Sequence, residues 1–164
     1  MQVKQPVAEI VTLAHRPDLA PTVAAWIWHE WSKHDGYSFE QTLEYVAASS
    51  AGKDIPQTFV LLVDGEPAGT SSFVAADMKE RPDLTPWMAS VFVVPEARRR
   101  GHVIPLIRTI ETAAVAAGIP GLWLYTDTAE GIYARAGWRT VEIVQREGGK
   151  PPATVMRRDF APSM

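Results

Sequence analysis

The sequence contains no cysteine. That absence removes disulfides, a thiol nucleophile and any Cys-type zinc or iron–sulfur site. The four histidines (His15, His29, His34, His102) form no HxxxH pair, so no metal centre is expected. No apolar run approaches the ~20 residues that a membrane span needs, and the opening Met-Gln-Val-Lys-Gln-Pro lacks a signal peptide's hydrophobic stretch. A soluble, cytoplasmic protein that does not touch membrane is the expectation. Repeated basic–aromatic patches are also missing, and with a pI near 5.8 this speaks against nucleic acid as a partner.

The 164 residues suffice for one domain with a real core. Their small net charge of −3 conceals an asymmetry. Residues 1–97 carry 6 basic and 13 acidic side chains, whereas residues 98–164 carry 10 and 6. A surface divided into an anionic and a cationic part would follow.

Hydrophobic periodicity predicts the order β-α-α-β-β-β-α-β-α-β-β. Residues 7–13 alternate as a first strand, and Leu19, Val23, Trp26, Ile27 and Trp31 share one face of a helix over 18–32. Ser38 and Gln41 have the spacing of a capping box ahead of a second helix that runs to Ser49. Strands at 58–63 and 68–75 flank the turn Asp64-Gly65-Glu66-Pro67. A polar, proline-punctuated loop over 76–86 leads to an apolar strand at 87–94. A third helix ends at Gly118, a strand spans 122–126, a short helix spans 129–136, and a last hairpin pairs 138–145 with 153–158. One α+β domain around a mixed sheet is the expected class.

The segment Val93-Val94-Pro95-Glu96-Ala97-Arg98-Arg99-Arg100-Gly101-His102-Val103 takes a buried strand through a tight turn into a helix. Free backbone N–H groups and the positive helix end then point at one place, which suits an anion. Three arginines add charge, and Gly101 lets the backbone approach closely.

This segment resembles the acetyl-CoA signature Arg/Gln-x-x-Gly-x-Gly/Ala of the GCN5-related N-acetyltransferases, with Arg98 in its first position and Gly101 in its second. A second hallmark, Phe/Tyr-Tyr-x-x-x-Gly-Phe, is similar to Ile132-Tyr133-Ala134-Arg135-Ala136-Gly137-Trp138. The third signature position departs from the pattern. Val103 stands there, and its branched Cβ would crowd a cofactor.

The resemblance implies a mixed, mostly antiparallel central sheet flanked by helices, with splayed central strands. It implies acetyl-CoA as co-substrate, held by Val91, Val93, Arg98, Arg99, Arg100, Gly101, His102 and Val103, and a primary amine acceptor that attacks the thioester directly. The acceptor would be a small molecule or a peptide amino terminus, and homodimers are common among similar proteins. Tyr133 would donate a proton to the leaving thiolate. For the base, Asp127, Glu30, His29 and a water chain stay open, and Asp127 equally suits a helix cap before Ala129. Trp28, Glu30 and Trp87 would meet the acceptor, although Trp28 equally suits a surface cap. Asp77, Glu80 and Asp83 would attract a cationic amine or simply be solvated. Two rivals remain: a non-catalytic acyl-CoA-binding domain, and an enzyme for a longer acyl-CoA.

Overall fold

A computed structural model describes residues 6–50 and 55–161. The start of the opening segment read for a signal peptide lies outside them. Seven strands and four helices follow the expected order: β1 (Ala8–Thr12), α1 (Ala20–Glu30), α2 (Phe39–Ala48), β2 (Gln57–Val63), β3 (Glu66–Val74), β4 (Trp87–Val93), α3 (Val103–Ala116), β5 (Gly121–Thr126), α4 (Glu130–Arg135), β6 (Arg139–Val144) and β7 (Ala153–Asp159). The class is α+β, with a mixed, mostly antiparallel sheet flanked by helices.

Contacts gather into two compact units. The first takes the chain up to Ser72 together with Ser90–Thr109, and the second takes Phe73–Ala89 with the chain from Ile110 onward.

In the first unit the strands lie in the order β1-β2-β3-β4. The β2 run Thr-Phe-Val-Leu-Leu-Val is apolar throughout because both of its faces are covered. Val60 and Leu62 face Val23, Ala24 and Ile27 of α1 and Val46 of α2, whereas Leu61 joins Ala68, Val93, Ala97 and Leu106 in a second core. Asp64 (φ 51°) and Gly65 (φ 81°) are both left-handed, the requirement of a tight type I′ hairpin between β2 and β3.

The first helix is shorter than its apolar pattern suggested. Pro17 begins a single 3-10 turn, and at Trp31 (φ −131°, ψ −58°) the backbone leaves the helix for a second 3-10 turn over Ser32–Asp35. Trp31, read from the sequence as part of the apolar face, is therefore exposed.

The capping box of α2 forms as expected. Ser38 Oγ accepts from the Gln41 N–H at 3.1 Å, and Gln41 Oε1 accepts from the Ser38 N–H at 2.8 Å. Ser38→Ala is expected to cost about 1 kcal/mol of stability in urea titration. An unchanged midpoint would show that the end of α2 is held by packing alone.

In the second unit the order is β4-β5-β7-β6. β5 pairs antiparallel with β7 along its whole length, and β6 closes the edge with a register shift between Thr140 and Glu142. Val74, Met78, Trp87, Ala89, Ala153 and Val155 form this unit's core, with Trp123 and Tyr125 packed on it.

β4 and β5 are parallel and share one register pair, Trp87 with Trp123, beside a hydrogen bond from the Trp123 N–H to the Pro86 carbonyl. Met88 and Ala89 find no register partner in Leu124 and Tyr125, which pair on their other side with Met156 and Val155. Further along β4, Ser90 has φ 55°. A left-handed residue inside a strand breaks the ladder locally, as in a bulge, and the pairing has stopped by that point.

Candidate active site

β4 delivers the chain into the turn that opens α3. Pro95–Ala97 form one 3-10 turn, Arg98 is extended (φ −73°, ψ 163°), Arg99 (φ 66°) and Gly101 (φ 78°) are left-handed, and α3 starts at Val103. Alternation of left-handed with other residues turns successive N–H groups to one side, the geometry of an anion-binding nest. Among the described residues, the N–H groups of Arg99, Arg100, Gly101, His102 and Val103 have no partner within the chain. A Cβ added to Gly101 would meet nothing within 4 Å, so the space beside the turn is open.

The helix behind the turn is pinned. Buried Ser71 of β3 donates its hydroxyl to the Leu106 carbonyl at 3.0 Å. Pro105 falls in the first turn, where a missing N–H costs nothing.

The three arginines are not equivalent. Arg98 is turned back along β4, with Nε donating to the Val93 carbonyl at 2.8 Å and its guanidinium 5.5 Å from the centre of the Phe92 ring. Arg99 and Arg100 are exposed. His102 is half-buried, and so is Val103, which packs on the core of Leu61, Ala68, Val93, Ala97 and Leu106. Val93 lies in that same core, and Val91 is half-buried.

In the second unit, Tyr133 lies in α4 with only 8% exposure, and burial pushes its phenol up to about 12. Its hydroxyl has no hydrogen bond among the described residues. Trp138 holds it from below. The Trp138 N–H donates to the Tyr133 carbonyl at 3.0 Å, and the two rings meet at 65° with centroids 6.4 Å apart. Trp138 is fixed in turn by its indole N–H, which donates to the buried Glu111 carboxylate at 3.0 Å.

Asp127 accepts from Arg146 Nη2 at 2.6 Å. Arg146 itself donates Nε to the Pro151 carbonyl and stacks its guanidinium 5.7 Å from the Tyr125 ring centre. No side chain caps the first turn of α4; Thr126 Oγ1 instead accepts the N–H of the N-cap residue Ala129 at 2.9 Å and braces the turn before the helix.

Trp87 is fully buried, its indole N–H donating to the Leu84 carbonyl at 2.7 Å and its ring edge-on to Tyr125. Trp28 is half-buried, donating to the Tyr37 carbonyl at 2.9 Å and meeting Phe39 edge-on, so it ties α1 to the start of α2. Glu30, the last residue of α1, and His29 are exposed. Two groups that sequence reasoning did not single out for chemistry are Glu111, hidden in the middle of α3, and Ser90. Periodicity carries no signal for either.

The model of the acetyltransferase (GNAT) family matches residues 20–138, which include both the turn at Arg98–Val103 and Tyr133. The chain belongs to that family. Solved structures similar to this GNAT chain include an acetyltransferase of the family from Streptococcus pneumoniae, at 16% identity and TM-score 0.65, covering 95% of this chain and 100% of that one. An aminoglycoside 6'-N-acetyltransferase complexed with coenzyme A aligns at 13% identity and TM-score 0.73, covering 95% and 99%. A ribosomal L7/L12 alpha-N-protein acetyltransferase in complex with coenzyme A aligns at 14% and 0.67, covering 97% of each. No curated protein matches by sequence. At such identities the structural likeness establishes the fold. Among the described residues no group of three or more His, Asp or Glu converges as a metal site, and no helix is long and apolar enough to cross a membrane.

Proposed function

We propose that this GNAT chain is an acetyl-CoA-dependent N-acetyltransferase of the cytoplasm that acts on a primary amine of a small molecule or peptide. The observation that carries the reading is the turn at Arg98–Val103. Five unpartnered N–H groups, two left-handed residues and the positive end of a 14-residue helix gather where Arg99 and Arg100 stand exposed. A diphosphate fits that donor set, and the open space beside Gly101 lets it approach the backbone. The packing of Val103 on the core supports productive seating, since a side chain engaged there has less freedom to stand over the turn.

The co-substrate supplies an activated acetyl thioester. Along β4, the residues around Val91 would align the pantetheine arm by backbone hydrogen bonds, as an added strand does. Tyr133 would donate its hydroxyl hydrogen bond to the departing sulfur. Full transfer from a phenol held near 12 to a thiolate of pKa about 8.5 runs uphill, so Tyr133 acts as a relay. As its proton moves to sulfur, the proton of the attacking nitrogen replaces it.

The test combines equilibrium dialysis against CoA with free-thiol release from acetyl-CoA in the presence of small amines and peptides with free amino termini. Binding together with amine-dependent thiol release is expected. CoA binding without release for any acceptor would replace the reading with a non-catalytic binding domain. Release only from succinyl- or propionyl-CoA would replace the acetyl group with a longer acyl chain.

A further inference from the structure

A turn that keeps five N–H groups free of internal bonds has nothing of its own to hold its shape. Its order must come from what flanks it. On the helix side the flank is fixed, because the Ile104 N–H donates to the Gly101 carbonyl at 3.3 Å and the Ser71 hydroxyl pins the Leu106 carbonyl. On the strand side the last residue with a bonded N–H is Arg98, which donates to the Pro95 carbonyl at 3.3 Å. Every free donor follows it.

The Arg98 side chain continues this anchoring. Its Nε donates to the Val93 carbonyl at 2.8 Å, closing a loop from the end of β4 across the 3-10 turn of Pro95–Ala97, and its guanidinium lies 5.5 Å from the Phe92 ring centre. Phe92 is itself held. Its ring meets Trp26 of α1 with centroids 5.7 Å apart, and Trp26 packs on the core of Val23, Ile27, Val46, Val60 and Leu62. Its backbone lies so close to β3 that a Cβ on Gly69 would come within 2.7 Å of the Phe92 carbonyl. Arg98 thus grips a fixed part of the fold before any ligand arrives. Arg99 and Arg100, by contrast, are exposed and make no bond or ring contact among the described residues.

We propose that Arg98 is a positioning residue that straps the diphosphate-binding turn to β4 and to the Phe92 ring backed by Trp26, while Arg99 and Arg100 supply the charge that meets the phosphates. The proposal rests on the CoA-binding reading above and divides the work among three adjacent arginines. A guanidinium suits the strap because one planar group donates at Nε and stacks by its face, whereas a lysine ammonium does neither in that geometry. A turn ordered in advance binds more tightly, since less freedom is lost when the ligand arrives. Charge and shape then leave different signatures. Attraction between exposed charges fades with salt, and preorganisation does not.

The experiment measures CoA affinity by calorimetry at about 0.05 M and about 0.5 M salt, and backbone order parameters in the protein without CoA. Arg98→Lys keeps the charge, yet is expected to weaken CoA about tenfold, as Arg98→Gln does, by the same factor at both salt concentrations. Arg99→Gln and Arg100→Gln are expected to lose about fivefold at low salt and less than about twofold at high salt, and the two corresponding Lys variants should bind as wild type does. In the free protein the amides at 99–102 should show order parameters near ~0.85 in wild type and below ~0.6 in Arg98→Lys, with no change in Arg99→Gln. Phe92→Leu removes the stacking face, and should weaken CoA in wild type but add little to Arg98→Lys. An Arg98→Lys protein that binds CoA as wild type does, or an Arg98→Gln loss that fades with salt as that of Arg99→Gln does, would make Arg98 a phosphate ligand and overturn the proposal. Turn amides equally ordered in wild type and Arg98→Lys would overturn it too. Wild type that binds no CoA would defeat the acetyltransferase reading instead, and the order parameters would still decide whether Arg98 holds the turn.

Discussion

Tyr133→Phe is expected to reduce kcat about 10²-fold while leaving the dissociation constant for CoA unchanged, because the substitution removes one hydroxyl and keeps the ring. The ring is what packs: it meets Trp138 edge-on inside the second unit, and the Tyr133 carbonyl still accepts the Trp138 N–H whatever the side chain. The hydroxyl, in contrast, has no hydrogen bond among the described residues, so its loss leaves no buried partner stranded. Stability should accordingly change little. The pH profile adds a second check. Burial holds the phenol up near 12, so the proton is present throughout the working range and is lost only as pH rises through that value. Wild-type kcat should therefore show no alkaline decline assignable to Tyr133 below pH 10. A fall removed by Tyr133→Phe at lower pH, or a Phe variant with full turnover, would sink the proton-relay role.

Asp77 carries a related consequence for stability. Burial pushes its carboxyl up to about 7, above the unfolded value of 3.8, so the folded protein holds a proton that the unfolded chain gives up. Stability contributed by this group is then lost as pH rises from about 4 to about 7, at about 1.4 kcal/mol per unit of separation as an upper limit.

The parts legible in the sequence are those with local causes. The capping box of Ser38 and Gln41, the hairpin turn at Asp64-Gly65 and the helix stop at Gly118 each depend on residues within a few positions and each forms, although Glu66 and Pro67, read as part of the turn, already belong to β3. Trp31 fitted the apolar stripe, but the stripe could not reveal that the backbone leaves the helix at that residue. The helix cap that Asp127 suited before Ala129 does not form: α4 has no side-chain cap, and the Asp127 carboxylate is taken by Arg146, 19 residues away. Asp77 was visible as one of three acids in a polar loop. What distinguishes it from Asp83 is that Asp83 is held by Arg81 two residues before it, whereas Asp77 is half-buried in the folded loop with no such partner among the described residues. Glu111 was hidden altogether, since a single acid on an amphipathic helix ordinarily faces water.

Glu111 also explains why the second motif contains glycine and an aromatic residue at Gly137-Trp138. Its carboxylate is 7% exposed, accepts the Trp138 indole N–H, and lies 4.0 Å from Arg158 Nε. Arg158 donates Nη1 to the Ala136 carbonyl at 3.3 Å, and its guanidinium fills the place where a Cβ on Gly137 would stand. Gly137→Ala must therefore expel the guanidinium from beside Glu111, at a residue whose φ of 102° already disfavours any side chain. Arg158 is partly exposed and can move aside, so the cost falls mainly on the backbone, about 1–3 kcal/mol for a side chain held at such a φ. In a chain of this size each kcal/mol lowers Tm by about 2–4 °C, and a fall of about 5 °C in thermal unfolding is the expected result. Trp138→Phe keeps the ring against Tyr133 but withdraws the N–H from the carboxylate, and should lower Tm by a smaller amount. The two variants also separate support from chemistry. If Glu111, Arg158 and Trp138 act only by holding α4 in place, both should lower kcat through displacement of Tyr133, and adding Tyr133→Phe should then cost less than it does in wild type. A Gly137→Ala protein that melts within 2 °C of wild type would show that the guanidinium moves aside freely and that Tyr133 is placed by other contacts.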